Sequence, residues 1–166
     1  MSTVCLHKVE PADLPFLYQW ENDASTWADG ANHNPLSHQD LRAYIESTTG
    51  DIYRDGQLRL IAMADGQTIG CADLFDLDAR NRRAAIGLYI APEFRGRGLA
   101  LQVLSELEQL AFRHLNLRVI YAIIRVSNEP CVRLFNTCQY TPSSPLAHWT
   151  LEGDAILFTK TNETGI

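Results

Sequence analysis

The segment Arg95-Gly96-Arg97-Gly98 sets two guanidinium groups beside two glycines, a combination suited to holding an anion against the main chain. Glycine removes the Cβ that would keep a ligand away from the backbone, and arginine adds positive charge. From Leu99 onward apolar residues recur at 99, 100, 103, 104, 107, 110 and 111, the period of a helix with one buried face. The turn therefore ends at a helix N-terminus, where unpaired N–H groups and the positive end of the helix dipole make an anion the natural guest. Two familiar nucleotide motifs do not fit. A dinucleotide fingerprint needs a third small residue where Leu101 stands, and a triphosphate loop needs a Gly-Lys-Ser/Thr that the chain lacks.

The elements that must position this turn are legible in pattern. Leu88, Tyr89 and Ile90 end a strand that begins at Arg83, and Pro92 stops the ladder because it has no N–H to donate. Before it, residues 4–9 read as a strand. Pro11 opens a helix with Leu14, Leu17, Tyr18 and Trp20 on its apolar face. Residues 21–35 form a polar loop broken only by Trp27, and Ser37 caps a second helix that ends near Gly50. Strands follow at 58–64 and 68–75 around the Asp65-Gly66 turn. Beyond the long helix, residues 119–124 form a buried strand, and Pro130 lies in the first turn of a helix capped by Ser127 or Asn128. Strands at 147–152 and 155–159 flank Gly153-Asp154, and the last residues, 161–166, are expected to fray.

At 166 residues and 46% hydrophobic, the chain has the size of a single domain, residues 1–166, with a real core. It carries no apolar run of membrane-spanning length and no apolar signal-peptide core, so a cytoplasmic protein without a membrane partner is expected. The net charge of -6 argues against nucleic acid, while Arg80, Arg82, Arg83, Arg95 and Arg97 make a local basic patch. The four cysteines, Cys5, Cys71, Cys131 and Cys138, have neither metal-ligand nor disulfide spacing; buried thiols and no metal are expected.

The pattern Arg/Gln-x-x-Gly-x-Gly/Ala, carried by Arg95, Gly98 and Ala100, resembles the acetyl-CoA pyrophosphate loop of the GNAT superfamily of N-acetyltransferases. Asn81-Arg82-Arg83-Ala84, Ala91-Pro92-Glu93 and Asn128 are similar to its branch of spermidine and ribosomal-protein N-terminal acetyltransferases. The resemblance covers nearly the whole chain. It implies an α+β (mixed α/β) GNAT fold, a central twisted mixed sheet of about seven strands with four helices, ordered β-α-α-β-β-β-α-β-α-β-β. It implies acetyl-CoA as cosubstrate and a small-molecule or peptide amine as acceptor, and leaves room for a homo-oligomer. The backbone of Leu88, Tyr89 and Ile90 would pair with the pantetheine arm, with an N–H at Ile90 as oxyanion donor. The amides of Arg95, Gly96, Arg97, Gly98, Leu99, Ala100 and Leu101 would hold the pyrophosphate. Asn128 would hydrogen-bond the pantetheine or simply cap a helix.

The same resemblance exposes departures. Phe135 occupies the family's tyrosine position, so no hydroxyl is available there to protonate the departing thiolate. Ala85, His33 and Asn34 fall where polyamine-binding glutamates are expected, whereas Asp76 remains. A thiol of pKa about 8.5 leaves its thiolate roughly 2 kcal/mol uphill at pH 7, while an amine of pKa about 10.4 needs about 5 kcal/mol to lose its proton. The base is the harder requirement. Asp76 and Glu21 are its candidates, with Asp73 behind them, and His33 is a further loop candidate. The reading is acetyl transfer by direct attack of a bound primary amine. The alternative is a weak or inactive acyl-CoA-binding sensor on the same fold.

Overall fold

The computed structural model describes residues 2–30 and 32–162. Strand β1 (Val4–Lys8) leads through a short turn of 3-10 helix into α1 (Leu14–Glu21), and α2 (His38–Ser47) follows the polar loop. A one-turn helix α3 (Ile52–Asp55) precedes β2 (Leu58–Ala64), β3 (Gln67–Asp78) and β4 (Arg83–Ile90). Helix α4 (Leu99–Gln109), β5 (Val119–Arg125), α5 (Glu129–Thr137), β6 (Thr141–Pro142), β7 (Leu146–Thr150) and β8 (Gly153–Thr161) complete the described chain. The sheet runs β1-β2-β3-β4-β5-β8-β6, and β7 pairs with β8. No helix among the described residues is long and apolar enough to cross a membrane.

The two faces of the sheet bury different sets. Leu60, Ala72, Leu88 and Ile120 alternate onto the face packed by α4 and α5, where Val103, Leu104 and Leu107 are fully buried. Ile61, Cys71 and Tyr89, opposite one another across three strands, point to the other face, where Leu17, Trp20, Leu41 and Ile45 of α1 and α2 cover them. Fully burying one such leucine or isoleucine contributes about 1.5–3 kcal/mol.

Several local expectations are corrected. Helix α3, too short to show a period, is made by its ends: the Asp51 side chain accepts from Tyr53 N–H, and Gly56 stops it at φ 74°. Tyr18 is 38% exposed and stacks on His38 with centroids 3.9 Å apart, so it lies off the buried face of α1. The last hairpin turns at Leu151-Glu152 rather than Gly153-Asp154, because the Asp154 side chain accepts from the His148 amide and Thr150 pairs with Gly153. Cys5 is exposed, since it alternates outward on edge strand β1. Thr161, expected to fray, pairs with Val119, and residues 163–166 lie outside the described residues.

The feature that matters most is where β4 and β5 part. They pair in parallel at only three places, Arg83 with Val119, Ala84 with Ile120 and Ala85 with Tyr121. Beyond that point β5 keeps its full antiparallel register with β8, while β4 keeps its own with β3 up to Gly70–Ile90. The sheet therefore opens as a V with the edge of β4 on one arm. Gly70 holds that arm close to β3: a Cβ built there would overlap the Tyr89 carbonyl oxygen, a backbone atom with no freedom to move aside. Gly70→Ala is expected to destabilise the chain by about 1–3 kcal/mol and lower Tm by roughly 2–12 °C. An unchanged thermal denaturation curve would show that the close approach is dispensable.

Candidate functional site

Ala91 N–H donates to the Ile69 carbonyl of β3, at 2.9 Å. Because alternate residues of a strand turn their backbone groups to opposite edges, the N–H of Leu88 and Ile90 face the opening of the V. Tyr89 is the exception among the three strand residues expected to hold a ligand. Its carbonyl faces Gly70, so its backbone belongs to the sheet and only its side chain borders the site.

The turn after β4 is tied back to it. Arg95 Nε donates to the Ile90 carbonyl at 2.8 Å, and its guanidinium lies 5.7 Å from the centre of the Tyr89 ring. Arg97 donates to the Glu93 carbonyl at 2.8 Å and stacks on Phe94. The arginines therefore first hold the turn in shape, and their charge acts from those fixed places. Gly96 and Gly98 have φ of 72° and 73°, the left-handed region that glycine adopts without strain. Nothing lies within 4 Å of a Cβ built at either. Leu99, 6% exposed, anchors the start of α4 in the core, whereas Leu101 is 44% exposed. The first turn of α4 carries no acidic residue and no side-chain cap, so the amides around Leu99, Ala100 and Leu101 are directed at the turn without a competing carboxylate. Across the V, the Asn128 side chain caps α5, accepting from Cys131 N–H at 3.4 Å. Its carbonyl oxygen serves as the cap, and its NH2 is the half that can donate to a ligand.

On the face covered by α1 and α2, the carboxylates differ sharply in their freedom. Arg59 of β2 grips both oxygens of Asp73, with Nε and Nη2 each at 2.8 Å, and also pairs with Glu21. Asp73 and its two neighbours on the sheet, Arg59 and Gly87, stand in one row. A Cβ at Gly87 would lie 3.6 Å from the Phe75 ring and 4.0 Å from an Asp73 oxygen, so the absent side chain leaves both groups beside the open edge of β4. Asp76 is exposed at a bulge in β3 with φ 48°, and it makes no hydrogen bond or ion pair among the described residues. Burial, and then the Asp76 charge, hold the Tyr121 phenol above its ordinary range. Burial, reinforced by Asp73, pushes the Cys71 thiol up to about 12, and burial raises Cys131 to about 11.

The polar loop after α1 is more ordered in its bonding than its composition suggests. Trp27 Nε1 donates to the Glu21 carbonyl at 2.9 Å, Asn22 bonds Leu36 in both directions, and Asp29 takes a bidentate pair from Arg125 of β5. His33 is exposed and no described contact aims it at the site.

Phe135 is 2% exposed, with its ring edge-on to Tyr140 at 4.7 Å and 5.7 Å from Phe158. It packs as a core residue and offers no proton. Arg59, Tyr121 and Gly87 had no part in the sequence reading. A lone arginine in the otherwise apolar strand LRLIAMA was the signal for Arg59; Gly87 and Tyr121 acquire meaning only from cross-strand register.

A family model described as an acetyltransferase (GNAT) domain matches residues 3–141. A spermidine N(1)-acetyltransferase of Escherichia coli strain K12 is 25% identical over 152 residues, spanning 88% of this chain and 77% of that protein. The fold matches a crystal structure of spermidine N-acetyltransferase from Vibrio cholerae in complex with CoA and spermine, at TM-score 0.86 and 22% identity over 95% of each chain. It also matches a dodecameric structure of the Vibrio cholerae enzyme at TM-score 0.78 and 23% identity, covering 95% of this chain and 93% of that one.

Coenzyme A at a hundredfold its Kd stabilises a binding protein by about 2.7 kcal/mol, which for this chain raises Tm by roughly 5–10 °C. The same addition should shift a Gly98→Asp variant far less, because a carboxylate then faces the turn. Differential scanning fluorimetry checks both, and equal shifts would move the phosphates away from this turn.

Proposed function

This chain belongs to the GNAT family of acetyl-CoA-dependent N-acetyltransferases, and from that premise we propose that it acetylates a primary amine of a small molecule or peptide by direct attack within a ternary complex. The observation that carries this reading is the V between β4 and β5, which leaves a strand edge leading to a helix N-terminus. Acetyl-CoA supplies the activated acetyl thioester. The Leu88 and Ile90 backbone would hold the pantetheine arm like an added strand, with the Asn128 amide across from it. Amides from Arg95 to Leu101 would take the pyrophosphate.

Ile90 N–H is the oxyanion donor in this scheme. It is held by a rigid strand, and its donation strengthens as the carbonyl oxygen gains charge. Arg95, bonded to the carbonyl of the same residue, keeps the strand end and turn in register. Asp76 is the stronger base candidate because it is free, while Glu21 and Asp73 are held by Arg59. A carboxylate gripped by a guanidinium accepts a proton only by giving up that pair.

Direct attack is supported by the cysteines. Cys71 and Cys131 are held as thiols by burial, which disfavours an acetyl-cysteine on either. Phe135 supports the second reading, a weak or inactive acyl-CoA sensor, because it removes a proton donor. A thiolate needs only about 2 kcal/mol at neutral pH, so that loss slows the reaction without forbidding it. The acetyl donor is a metabolite of the cell interior, which supports a cytoplasmic location. A homo-oligomer belongs to the same reading, supported by the dodecameric relative.

Two outcomes are expected. Asp76→Asn should lower kcat by about 10²-fold or more while acetyl-CoA affinity stays level, as for a group used with the acceptor. Full turnover would remove Asp76 from the mechanism. Initial rates with both substrates varied should give intersecting lines for wild type and for Cys71→Ser. Parallel lines would point to an acyl-enzyme, and no turnover with any amine would favour the sensor.

A further inference from the structure

The following inference rests on the amine-acetylating reading and narrows its acceptor. The face of the sheet beneath α1 and loop residues 22–30 and 32–36 is laid out in rows: Arg59, Asp73 and Gly87 lie opposite one another across β2, β3 and β4. Phe75, Ala85 and Tyr121 form a second row across β3, β4 and β5. Both β4 members are small, so the Phe75 ring lies over Gly87, 3.6 Å from a Cβ built there, and Ala85 is buried, which leaves Phe75 and Tyr121 as the apolar surface on either side of β4.

Six carboxylates, Glu21, Asp23, Asp29, Asp73, Asp76 and Asp78, belong to this face and its loop. Arg59 holds both oxygens of Asp73 and one of Glu21, and Arg125 holds both oxygens of Asp29 at 2.8 and 3.1 Å. Arg83 pairs with Asp78 at 3.1 Å, Asp23 accepts from the Ser25 amide and hydroxyl at 3.0 and 2.6 Å, and Asp76 alone of the six makes no hydrogen bond or ion pair among the described residues.

We propose that Arg59 and Arg125 set acceptor specificity, so that the site takes a primary monoamine with an aromatic or bulky apolar body and discriminates against polyamines. An extended polyamine must bring its second and third ammonium groups to carboxylates already committed to guanidinium groups or, at Asp23, to the Ser25 amide and hydroxyl, and beside the arginine charges. Displacing a guanidinium from a half-buried bidentate pair leaves it without a partner, which opposes the exchange. A single ammonium meets Asp76, and the remainder of the molecule lies on Phe75 and Tyr121. Aromatic walls favour an arene or a bulky aliphatic body there. The site thus excludes by occupied carboxylates as well as attracting by apolar contact. In this it departs from the relatives named as spermidine acetyltransferases.

The test compares phenethylamine, n-butylamine and spermidine as acceptors for the full chain at saturating acetyl-CoA, following free thiol. Phenethylamine is expected to exceed spermidine in kcat/KM by about tenfold or more, with n-butylamine between them. Arg125→Gln releases Asp29 at a half-exposed position and should narrow the phenethylamine-to-spermidine ratio by about threefold, with wild-type circular dichroism. Spermidine equal to or better than phenethylamine overturns the proposal while leaving amine acetylation standing. An unchanged ratio in folded Arg125→Gln overturns the part given to that arginine. If acetyl-CoA raises Tm but none of the amines releases thiol, the amine-acetylating reading fails and takes this inference with it.

Discussion

Everything in the site depends on two strands that cannot stay paired. β5 is committed to β8 over its whole length, from Val119 opposite Thr161 to Arg125 opposite Ala155, and β4 is equally committed to β3. With only three residue pairs joining them, the two halves of the sheet diverge above Ala85. An edge exposed in this way is a hazard in most proteins, because unpaired N–H and C=O groups invite another strand. Here the edge is short and leads to a helix N-terminus, and in the proposed reading it is the place for an extended ligand arm.

The glycine-arginine turn is held in shape by its own bonds. Left-handed backbone at Gly96 and Gly98 directs successive amides toward one region, and Arg95 ties the turn to the last residue of β4. Preorganised donors need little rearrangement at the moment of reaction. The same logic applies to Arg59. Its guanidinium is half-buried between two carboxylates, and the pull of Asp73 and Glu21 outweighs the cost of burial, so it stays charged. Arg59 thereby divides the carboxylates of this face: Asp73 and Glu21 are paired with it, and Asp76 makes no ion pair among the described residues.

The bulge at Asp76 shows how local strain and placement are linked. A non-glycine residue at φ 48° is uncommon, and here it re-aims a carboxylate at the point where β4 and β5 part, near Tyr121. The loop from α1 closes over the same face through Asp29 and Arg125, which lie ninety-six residues apart in sequence. Neither contact has a local signature, since both are made between elements whose meeting is decided by sheet order.

The sequence by itself determined the elements and the glycine-arginine turn. Strand alternation, the 3.6-residue period of α4, the prolines that stop or start elements and the two glycines are local properties, set by sterics and hydrogen-bonding capacity within a few residues. That is why β2, β4 and the start of α4 were legible to the residue, while α3 escaped notice because one turn is too short to show a period. Tertiary structure alone decided which carboxylate is free and which are paired, that the Tyr89 backbone faces β3, that Phe135 packs as core, and that Gly87 leaves room beside Asp73. A charge is free or neutralised according to what stands across the sheet, and cross-strand register brings Arg59 to Asp73 and Ala85 to Tyr121 from distant parts of the chain. No pattern within a single segment encodes that.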